Sequence, residues 1–415
     1  MTITKKYSVG SLFAGVGGVC LGFKQAKYEN KGFNLTWANE IDEYAAETYR
    51  TNFDHDLIVG DIEKIIDPNL CDIEKKECMK KLEEEQNEKE KLKLKKQIEK
   101  CEKEKPAYEV KKIEILKDKI DILMGGFPCQ AFSIAGKRKG FDDHRGNLFW
   151  SIINLVNFLE PIHGKPRVLF MENVKNLKSH DAGKTYPVIK GELEKAGYII
   201  KDAILNTMDY SDLPQNRERI YIVGFLNKED ADRFTMFDNL NKYIKVKHPD
   251  ERLEDIKNVL NLDLSKDDAD EYYYTKDKYP GYFITEEEYL KLSEEKRKKE
   301  RINLDEQINE EYQFYQVRRG MYVRKNKSNV CPTLTANMGT GGHNVPLIKV
   351  RDGIRKLTPE ETFKIQGFPV GNGYNLPKIY GRRKYPNGSL YKQAGNAVSV
   401  PVIKLIAEEI LKSLK

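Results

Sequence analysis

One cysteine of this chain lies at a position that suits a nucleophilic thiol. Cys129 lies in the run GGFPCQ, directly after the apolar segment Asp121–Met124, which predicts a buried strand. A lone cysteine is more often a small buried hydrophobe than a nucleophile. Here Pro128 and the glycine-containing segment 131–146 predict an exposed loop around the sulfur, and this favours a nucleophile.

A carboxylate and two guanidinium groups accompany this thiol. Glu172 follows the apolar run Val168–Met171, and Arg217 and Arg219 alternate just before another apolar run. Because ligands of open α/β sheets bind at the carboxyl ends of strands, Cys129 and Glu172 should converge. A thiolate that attacks C6 of cytosine builds negative charge, which a carboxyl group hydrogen-bonded to N3 and N4 can relieve. Arginine can hold that carboxyl group or the base carbonyl.

A glycine-rich turn and two acids indicate a second ligand. The run FAGVGG, residues 13–18, follows the first predicted strand, where glycines let the backbone turn tightly and approach a ligand. The run departs from G-x-G-x-x-G, so it is a weak signal by itself. Glu40 ends the second strand, where a carboxylate could accept hydrogen bonds from a ribose diol, and Asp61 ends the third, near an adenine amino group. Either acid could equally be a solvated strand end.

The elements that must position these residues alternate between strand and helix. Apolar runs end near Phe13, Glu40, Met124, Met171, Leu205 and Phe225, with helical patterns between them. This rhythm predicts βαβ units and a parallel sheet.

Two other regions break the rhythm. Residues 72–118 are nearly all Lys, Glu and Gln, which predicts a solvated helical insert, with a hairpin broken near Pro106 as one arrangement of it. From about 226 to 375 the chain is charged and aromatic without a clear period, which predicts a smaller second domain. Residues 1–225 and about 376–415 would form the larger domain, with the last helix packed on its sheet.

Composition narrows the class of protein without deciding it. The 415 residues include 71 Lys and Arg against 65 Asp and Glu, a net charge of +6 that suits a polyanion without demanding one. The six cysteines form no C-x-x-C pair, which argues against a zinc site and a disulfide framework. No stretch approaches the roughly 20 apolar residues of a membrane span, and the start lacks the apolar region of a secretory signal. We therefore expect a soluble, intracellular protein.

Six runs stand in a characteristic order: FAGVGG, GGFPCQAFSIAGKRKGF, MENVKNL, QNRERIYIVG, RKLTPEETFKIQGFP and YKQAGNAVSVPV. They cover most of residues 7–225 and 355–410, and they resemble the DNA (cytosine-5) methyltransferases of bacterial restriction-modification systems. The resemblance implies an α/β fold, with a Rossmann-like S-adenosylmethionine-dependent methyltransferase sheet and a smaller, irregular target-recognition domain. It also implies methyl transfer from S-adenosyl-L-methionine to carbon 5 of a flipped cytosine, with S-adenosyl-L-homocysteine as product and no metal.

The same resemblance implies roles for particular residues. Cys129 would be the covalent nucleophile, Glu172 the contact to N3 and N4, and Arg217 and Arg219 a supporting pair, with Arg219 nearer the base. The positions that match the family's cofactor contacts are Phe13, Val16, Gly17, Glu40, Ile41, Asp61, Ile62, Pro128, Leu148, Asn396, Ala397 and Val398.

Double-stranded DNA is the partner that the resemblance implies. The loop 131–147 would close over the flipped base, with Ser133 and Arg145 facing DNA, and the recognition segment would end at the pair Thr333 and Leu334. The basic residues just before that pair are further candidates for DNA contact: Arg318, Arg319, Arg324 and Lys327. For any one of them, a phosphate or solvent role is expected more often than base readout.

Other readings remain at this point. A transfer-RNA cytosine methyltransferase shares these motifs, but in that family it lacks a long separate recognition segment. A catalytically retired DNA-binding homologue would have lost reactive positions that are all present here. A zinc deaminase needs H-x-E and P-C-x-x-C ligands, which this chain lacks. The resemblance further implies a monomer in the bacterial cytoplasm, associated with the nucleoid through DNA, and a cognate restriction endonuclease without a stable complex.

Overall fold

The computed structural model describes residues 3–127, 148–245, 247–248, 250–267, 269–297, 301–318, 322–340 and 345–415. A seven-stranded sheet forms its centre, in the order β3-β2-β1-β4-β5-β7-β6. The strands are β1 Lys5–Leu12, β2 Lys31–Glu40, β3 Asp56–Val59, β4 Ile122–Gly126, β5 Val168–Val174, β6 Ile199–Asn206 and β7 Glu218–Phe225.

Sixteen α-helices occur in the described residues. They are α1 Gly18–Gln25, α2 Glu43–Arg50, α3 Ile62–Ile66, α4 Leu70–Glu84, α5 Glu88–Leu116, α6 Leu148–His163, α7 Thr185–Lys195, α8 Thr207–Tyr210, α9 Lys228–Arg233, α10 Arg252–Val259, α11 Glu286–Leu290, α12 Glu294–Arg297, α13 Leu304–Gln307, α14 Pro359–Ile365, α15 Asn387–Asn396 and α16 Val400–Ser413.

The sheet is mainly parallel, as the alternating pattern predicts. Strands β1 to β5 pair in parallel, whereas β7 runs antiparallel to both β5 and β6. Strand β7 is thus the exception to the predicted parallel pairing. As a result, the start of β7 lies at the same edge of the sheet as the carboxyl ends of the other strands.

Both faces of the sheet are covered. One apolar cluster joins α1 and α16 to side chains such as Val9 and Ile122, and the other joins α6 and α7 to Leu123 and Leu169. The last helix lies tightly against the first, because a methyl group on Gly22 would come within 2.5 Å of Ile403. The last helix thus packs with α1 in the same apolar cluster as the large sheet.

The charged insert is a pair of antiparallel helices, α4 and α5, that contact each other extensively. The turn between them falls at residues 85–87, and α5 continues through Pro106. The break predicted near Pro106 is wrong. The second helix of the insert instead begins after Asn87, whose side chain caps it by accepting hydrogen bonds from the backbone of Lys89 and Glu90. The insert is not wholly solvated, since Cys101 and Tyr108 are buried.

A second, antiparallel sheet lies in the region predicted to be irregular. Its strands are β8 Phe314–Arg318, β9 Tyr322–Lys325, β10 Leu347–Val350 and β11 Gly353–Lys356, in the order β11-β10-β8-β9. It has its own apolar core, which includes Phe283, Leu304 and Leu347. A short hairpin, β12 Ile379–Tyr380 and β13 Arg383–Lys384, follows later in the chain.

The segment after β11 joins the two regions. The buried pair Arg355 and Glu361 makes two hydrogen bonds of 2.7 Å, which tie β11 to the start of α14. Further on, the Tyr374 hydroxyl donates to the Val16 carbonyl at 2.8 Å. Residues 355–375 thus contact the large sheet, and the predicted domain boundary near 375 remains a prediction.

Candidate active site

The predicted chemical residues gather along one edge of the large sheet. Strand order places Asp61 after β3, Glu40 at the end of β2 and Phe13 after β1. Glu172 follows near the end of β5, and Arg219 lies in β7. Neighbouring strands are about 4.8 Å apart, so the row spans roughly 24 Å. β1 pairs with both β2 and β4, and the crevice at such a switch point is where open α/β sheets bind ligands.

The acidic centre of this edge is Glu172. Its side chain is almost buried, and Oε1 lies 3.1 Å from Nε of Arg219. The pairing of β5 with β7 places Arg219 opposite Val174, so the two charges meet across neighbouring strands. Within the described residues Oε1 has no well-directed hydrogen bond. This carboxylate therefore keeps hydrogen-bonding capacity for a ligand.

Asn173 connects this acid to the thiol segment. Its amide nitrogen donates to the Phe127 carbonyl at 2.5 Å, and its side-chain oxygen accepts from the backbone N–H of Val174. Phe127 is the last described residue before the segment that holds Pro128 and Cys129. Both of those residues, like Ser133 and Arg145, lie outside the described residues. Asn173 carries no predicted role, although its place beside Glu172 in the sequence is a usable signal.

Arg217 donates to backbone carbonyls, whereas Arg219 pairs with the acid. Arg217 is buried, and its guanidinium donates to three backbone carbonyls: Leu334 and Gly395 at 3.3 Å each, and Ala397. Burial, followed by the nearby charge of Arg219, lowers the pKa of Arg217 to about 9, so the group stays protonated at neutral pH. The two arginines predicted as one supporting pair therefore have different surroundings.

The glycine-rich turn is organised by Glu40. Its carboxylate accepts hydrogen bonds from the backbone N–H groups of Gly15 at 2.7 Å and of Ile41 and Asp42 at 2.8 Å each. A carboxylate offers about four acceptor sites, so one remains for a ligand hydroxyl. Gly17 has φ +82°, and a methyl group there would lie 2.2 Å from the Phe53 ring. The turn thus requires glycine at this position.

Two side chains near Glu40 give the edge an apolar wall. Phe13 has φ +53°, an unusual conformation for a residue other than glycine and one that is often kept at functional sites. Ile41 is 64% exposed, although it is a large hydrophobic residue. Asp61 caps α3 by accepting from the Glu63 N–H at 3.0 Å, and Ile62 beside it is buried. This arrangement fits a flat, partly apolar group with a diol.

The late predicted residues reach the same edge from the end of the chain. Asn396 is exposed where α15 ends, whereas Ala397 and Val398 are buried. A methyl group on Gly18 would lie 2.9 Å from Val398, so this segment packs on the start of α1. Leu148, half-buried, begins α6 after the segment of Cys129.

The predicted DNA residues separate into exposed and buried ones. Arg324 and Lys327 are exposed and Arg318 is half-buried, while Arg319 lies outside the described residues. Leu334 is 1% exposed, so its side chain offers no surface to DNA in this conformation. The Thr333 hydroxyl donates to the Asn216 carbonyl at 2.6 Å, which ties the recognition segment to the run before β7.

Neither metal ligands nor a bilayer-spanning element emerges from the described part of the chain. No group of three or more His, Cys, Asp or Glu side chains there could hold a metal ion. None of its helices has the length and apolar character that crossing a membrane requires.

Comparison with known proteins gives one family. The family described as C-5 cytosine-specific DNA methylase matches residues 7–78 and 74–412. The chain is 42% identical over 407 residues to the type II methyltransferase M.Bsp6I of Bacillus sp. (strain RFL6), covering 98% of this chain and 99% of that protein. It is 30% identical to the type II methyltransferase M.HhaI of Haemophilus parahaemolyticus, covering 97% and 94% of the two chains.

Among solved structures, S. pombe Dnmt2 methyltransferase is similar in fold. The TM-score is 0.54 at 15% sequence identity, and 98% of each chain is covered. At this identity the likeness supports the methyltransferase fold and nothing finer.

Proposed function

The chain belongs to the C-5 cytosine-specific DNA methylase family, and from this we propose that it methylates carbon 5 of a flipped cytosine through a covalent adduct at Cys129. The observation that carries the proposal is the Glu172–Arg219 pair, tethered through Asn173 to the segment that leads into Cys129. Protection of DNA in a type II restriction-modification system is the biological setting that the relatives indicate.

The residues of the chain divide the reaction between them. The Cys129 thiolate adds to C6, forming a C–S bond, while Glu172 hydrogen-bonds N3 and N4 and relieves the charge that enters the ring. Arg219 holds the carboxylate in place. S-adenosyl-L-methionine, when bound, supplies an electrophilic methyl group to C5. A base then removes the C5 proton, and elimination breaks the C–S bond and releases the thiol.

The cofactor edge suits an adenosine group with an amino-acid tail. Glu40 keeps an acceptor site for a ribose hydroxyl, and the exposed Ile41 offers an aliphatic contact for the adenine ring. Asp61 lies two strands away from Phe13. Asn396, Ala397 and Val398 would close the site from the other end of the chain, together with Val16, Gly17, Ile62, Pro128 and Leu148.

DNA would lie between the two sheets, over the edge that carries Glu172. Exposed Arg324 and Lys327, near the hairpin of β8 and β9, are candidates for phosphate contacts, which position a protein without reading sequence. We place the protein in the bacterial cytoplasm on nucleoid DNA, as a monomer that shares its site with a cognate endonuclease without a stable complex. The target-recognition domain would span about 226–375.

The proposal is tested with Cys129→Ser and the matched Cys78→Ser variant, whose thiol lies in the insert. The first should abolish transfer of labelled methyl groups and leave cofactor affinity unchanged, whereas the second should retain wild-type turnover. DNA with 5-fluorocytosine should trap wild-type protein covalently, because fluorine cannot leave as a proton does. Substantial turnover by Cys129→Ser would refute the nucleophile assignment.

The main alternative is a transfer-RNA substrate. About a hundred residues separate the end of β7 from Thr333. They contribute β8 and β9 to a second sheet, which β10 and β11 complete after Thr333 and which has its own core. This favours a separate DNA-recognition unit. Methylation of genomic DNA and of bulk transfer RNA, measured side by side with the same preparation, decides between the two substrates.

A further inference from the structure

The charged insert contacts the segment that follows β3. Lys111 of α5 donates through Nζ to the Val59 carbonyl at 2.5 Å. One turn earlier, the ring of Tyr108 lies against Gly60, where an added methyl group would come within 2.8 Å of a ring carbon. The insert therefore covers the backbone that leads directly to Asp61.

The Gly60 backbone is held from the opposite side as well. The side-chain amide of Asn39, in β2, donates to the carbonyls of Ile58 and Gly60 at 2.9 Å each. Gly60 has φ +146°, a conformation that residues with side chains rarely adopt. The turn after β3 is thus fixed between β2 and the insert.

Helix α3, which Asp61 caps, is held by the same insert. Lys64 forms an ion pair with Glu74 of α4, and the Gln97 amide of α5 donates to Glu74 at 2.6 Å. Lys64 is mostly buried in this contact, with 16% of its side chain exposed. Both helices of the insert, α4 and α5, therefore help to hold α3, which begins directly after Asp61.

We propose that the insert is a positioning element for the cofactor, in which Tyr108 and Lys111 fix the Gly60–Ile62 backbone in the conformation that receives the adenine end of S-adenosyl-L-methionine. Neither residue takes part in methyl transfer. The inference rests on the proposed function, because it assumes that Asp61 and Ile62 contact the cofactor.

A positioning role predicts a specific division of kinetic effects. When the turn is no longer fixed, ordering it becomes part of cofactor binding, so affinity falls while the reacting groups at β4 and β5 are unchanged. We expect Lys111→Met and Tyr108→Leu each to raise the Kd and KM for the cofactor about 5- to 20-fold, with kcat at saturating cofactor within about twofold. Tyr108→Phe keeps the ring on Gly60 but loses the hydrogen bond of the hydroxyl to the Asp61 backbone, so its effect should be smaller than that of Tyr108→Leu.

The matched control is Lys93→Met, on the same helix. Lys93 is exposed, and it forms an ion pair with Glu90, one turn away on the same helix, rather than a contact with the turn after β3. The Kd for S-adenosyl-L-homocysteine, measured by calorimetry on the full-length protein, should equal that of the wild type in this variant. Thermal unfolding without cofactor shows that each variant is folded, and Lys111→Met carries the test if Tyr108→Leu does not fold.

Asp61→Ala distinguishes a failure of the positioning role from a failure of the proposed cofactor site. If it weakens cofactor binding but Lys111→Met does not, the insert has no positioning role and the inference is overturned. If Asp61→Ala leaves the Kd unchanged, the proposed cofactor site itself is wrong. A fall in kcat with unchanged KM in Lys111→Met would likewise overturn the inference, because positioning of the cofactor predicts the opposite.

Discussion

Arg217 and Arg219 stand two residues apart, yet their replacement should affect different properties. Arg217 donates to three buried carbonyls in two distant segments, so Arg217→Met leaves those acceptors unpaired. An unsatisfied buried polar group costs about 1–3 kcal/mol, and relief of the buried charge offsets part of the sum. We expect the free energy of unfolding to fall by about 2–4 kcal/mol.

Arg219→Met should act on the reaction instead. Arg219 touches Glu172, and loss of one preorganised group that supports developing charge costs about 10²- to 10³-fold in kcat. Stability should fall less than in Arg217→Met, because Arg219 pairs with one carboxylate, whereas Arg217 donates to three buried carbonyls. Folded Arg217→Met protein, at a temperature well below its unfolding midpoint, should keep kcat within about tenfold of wild type.

Both properties can be measured on the same preparations. Urea unfolding gives the stability, and single-turnover methyl transfer with labelled cofactor and excess enzyme gives the chemical step. The reasoning is refuted if Arg217→Met has wild-type stability but loses a hundredfold or more in the chemical step. That result would put Arg217 in contact with the base.

Two further predictions concern stability. Glu361→Gln breaks a fully buried bidentate pair with Arg355, so urea unfolding should show a loss of about 3–5 kcal/mol, whereas Asp232→Asn in an exposed helical pair should cost less than about 1 kcal/mol. Burial, then the charge of Lys24, lowers the pKa of His55 from 6.5 to about 4, so the unfolded state binds the extra proton between these values. The contribution of neutral His55 to the free energy of unfolding is therefore complete above pH 6.5 and is lost as the pH falls towards 4. His55→Asn should flatten the plot of unfolding midpoint against pH in this range.

Much of the sheet could be predicted because its strands are short apolar runs with a charged or small residue at one end. Glu40 and Glu172 end such runs, and parallel pairing alone brings strand ends together. The direction of β7 had no comparable signal. It depends on how the short connection after β6 turns, and that is settled by packing rather than by the residues of the strand.

The different partners of Arg217 and Arg219 could not be predicted for a related reason. Alternation within a strand would place both side chains on one face. Arg217, however, lies before β7 begins at Glu218, in a segment that pairs with Cys331 from the recognition region. Its partners are more than a hundred residues away, so no local pattern indicates them. The turn of the insert ends at Asn87, which caps α5, and the helix accommodates Pro106 in its interior, so the proline misleads as a signal for the turn.

The packing of α16 on α1 sets an order of events during synthesis. The Tyr7 hydroxyl donates to the carbonyl of Lys415 at 3.3 Å, and these residues are 408 positions apart. At roughly 5–20 residues per second, a ribosome needs about 20–80 s to deliver the second partner after the first. Until then the apolar face of α1, including the surface around Gly22, has no cover, and the segment of Asn396 is absent from the cofactor edge. The apolar face of α1 in a nascent chain therefore stays exposed during this interval, and a chaperone that binds apolar helices would act then.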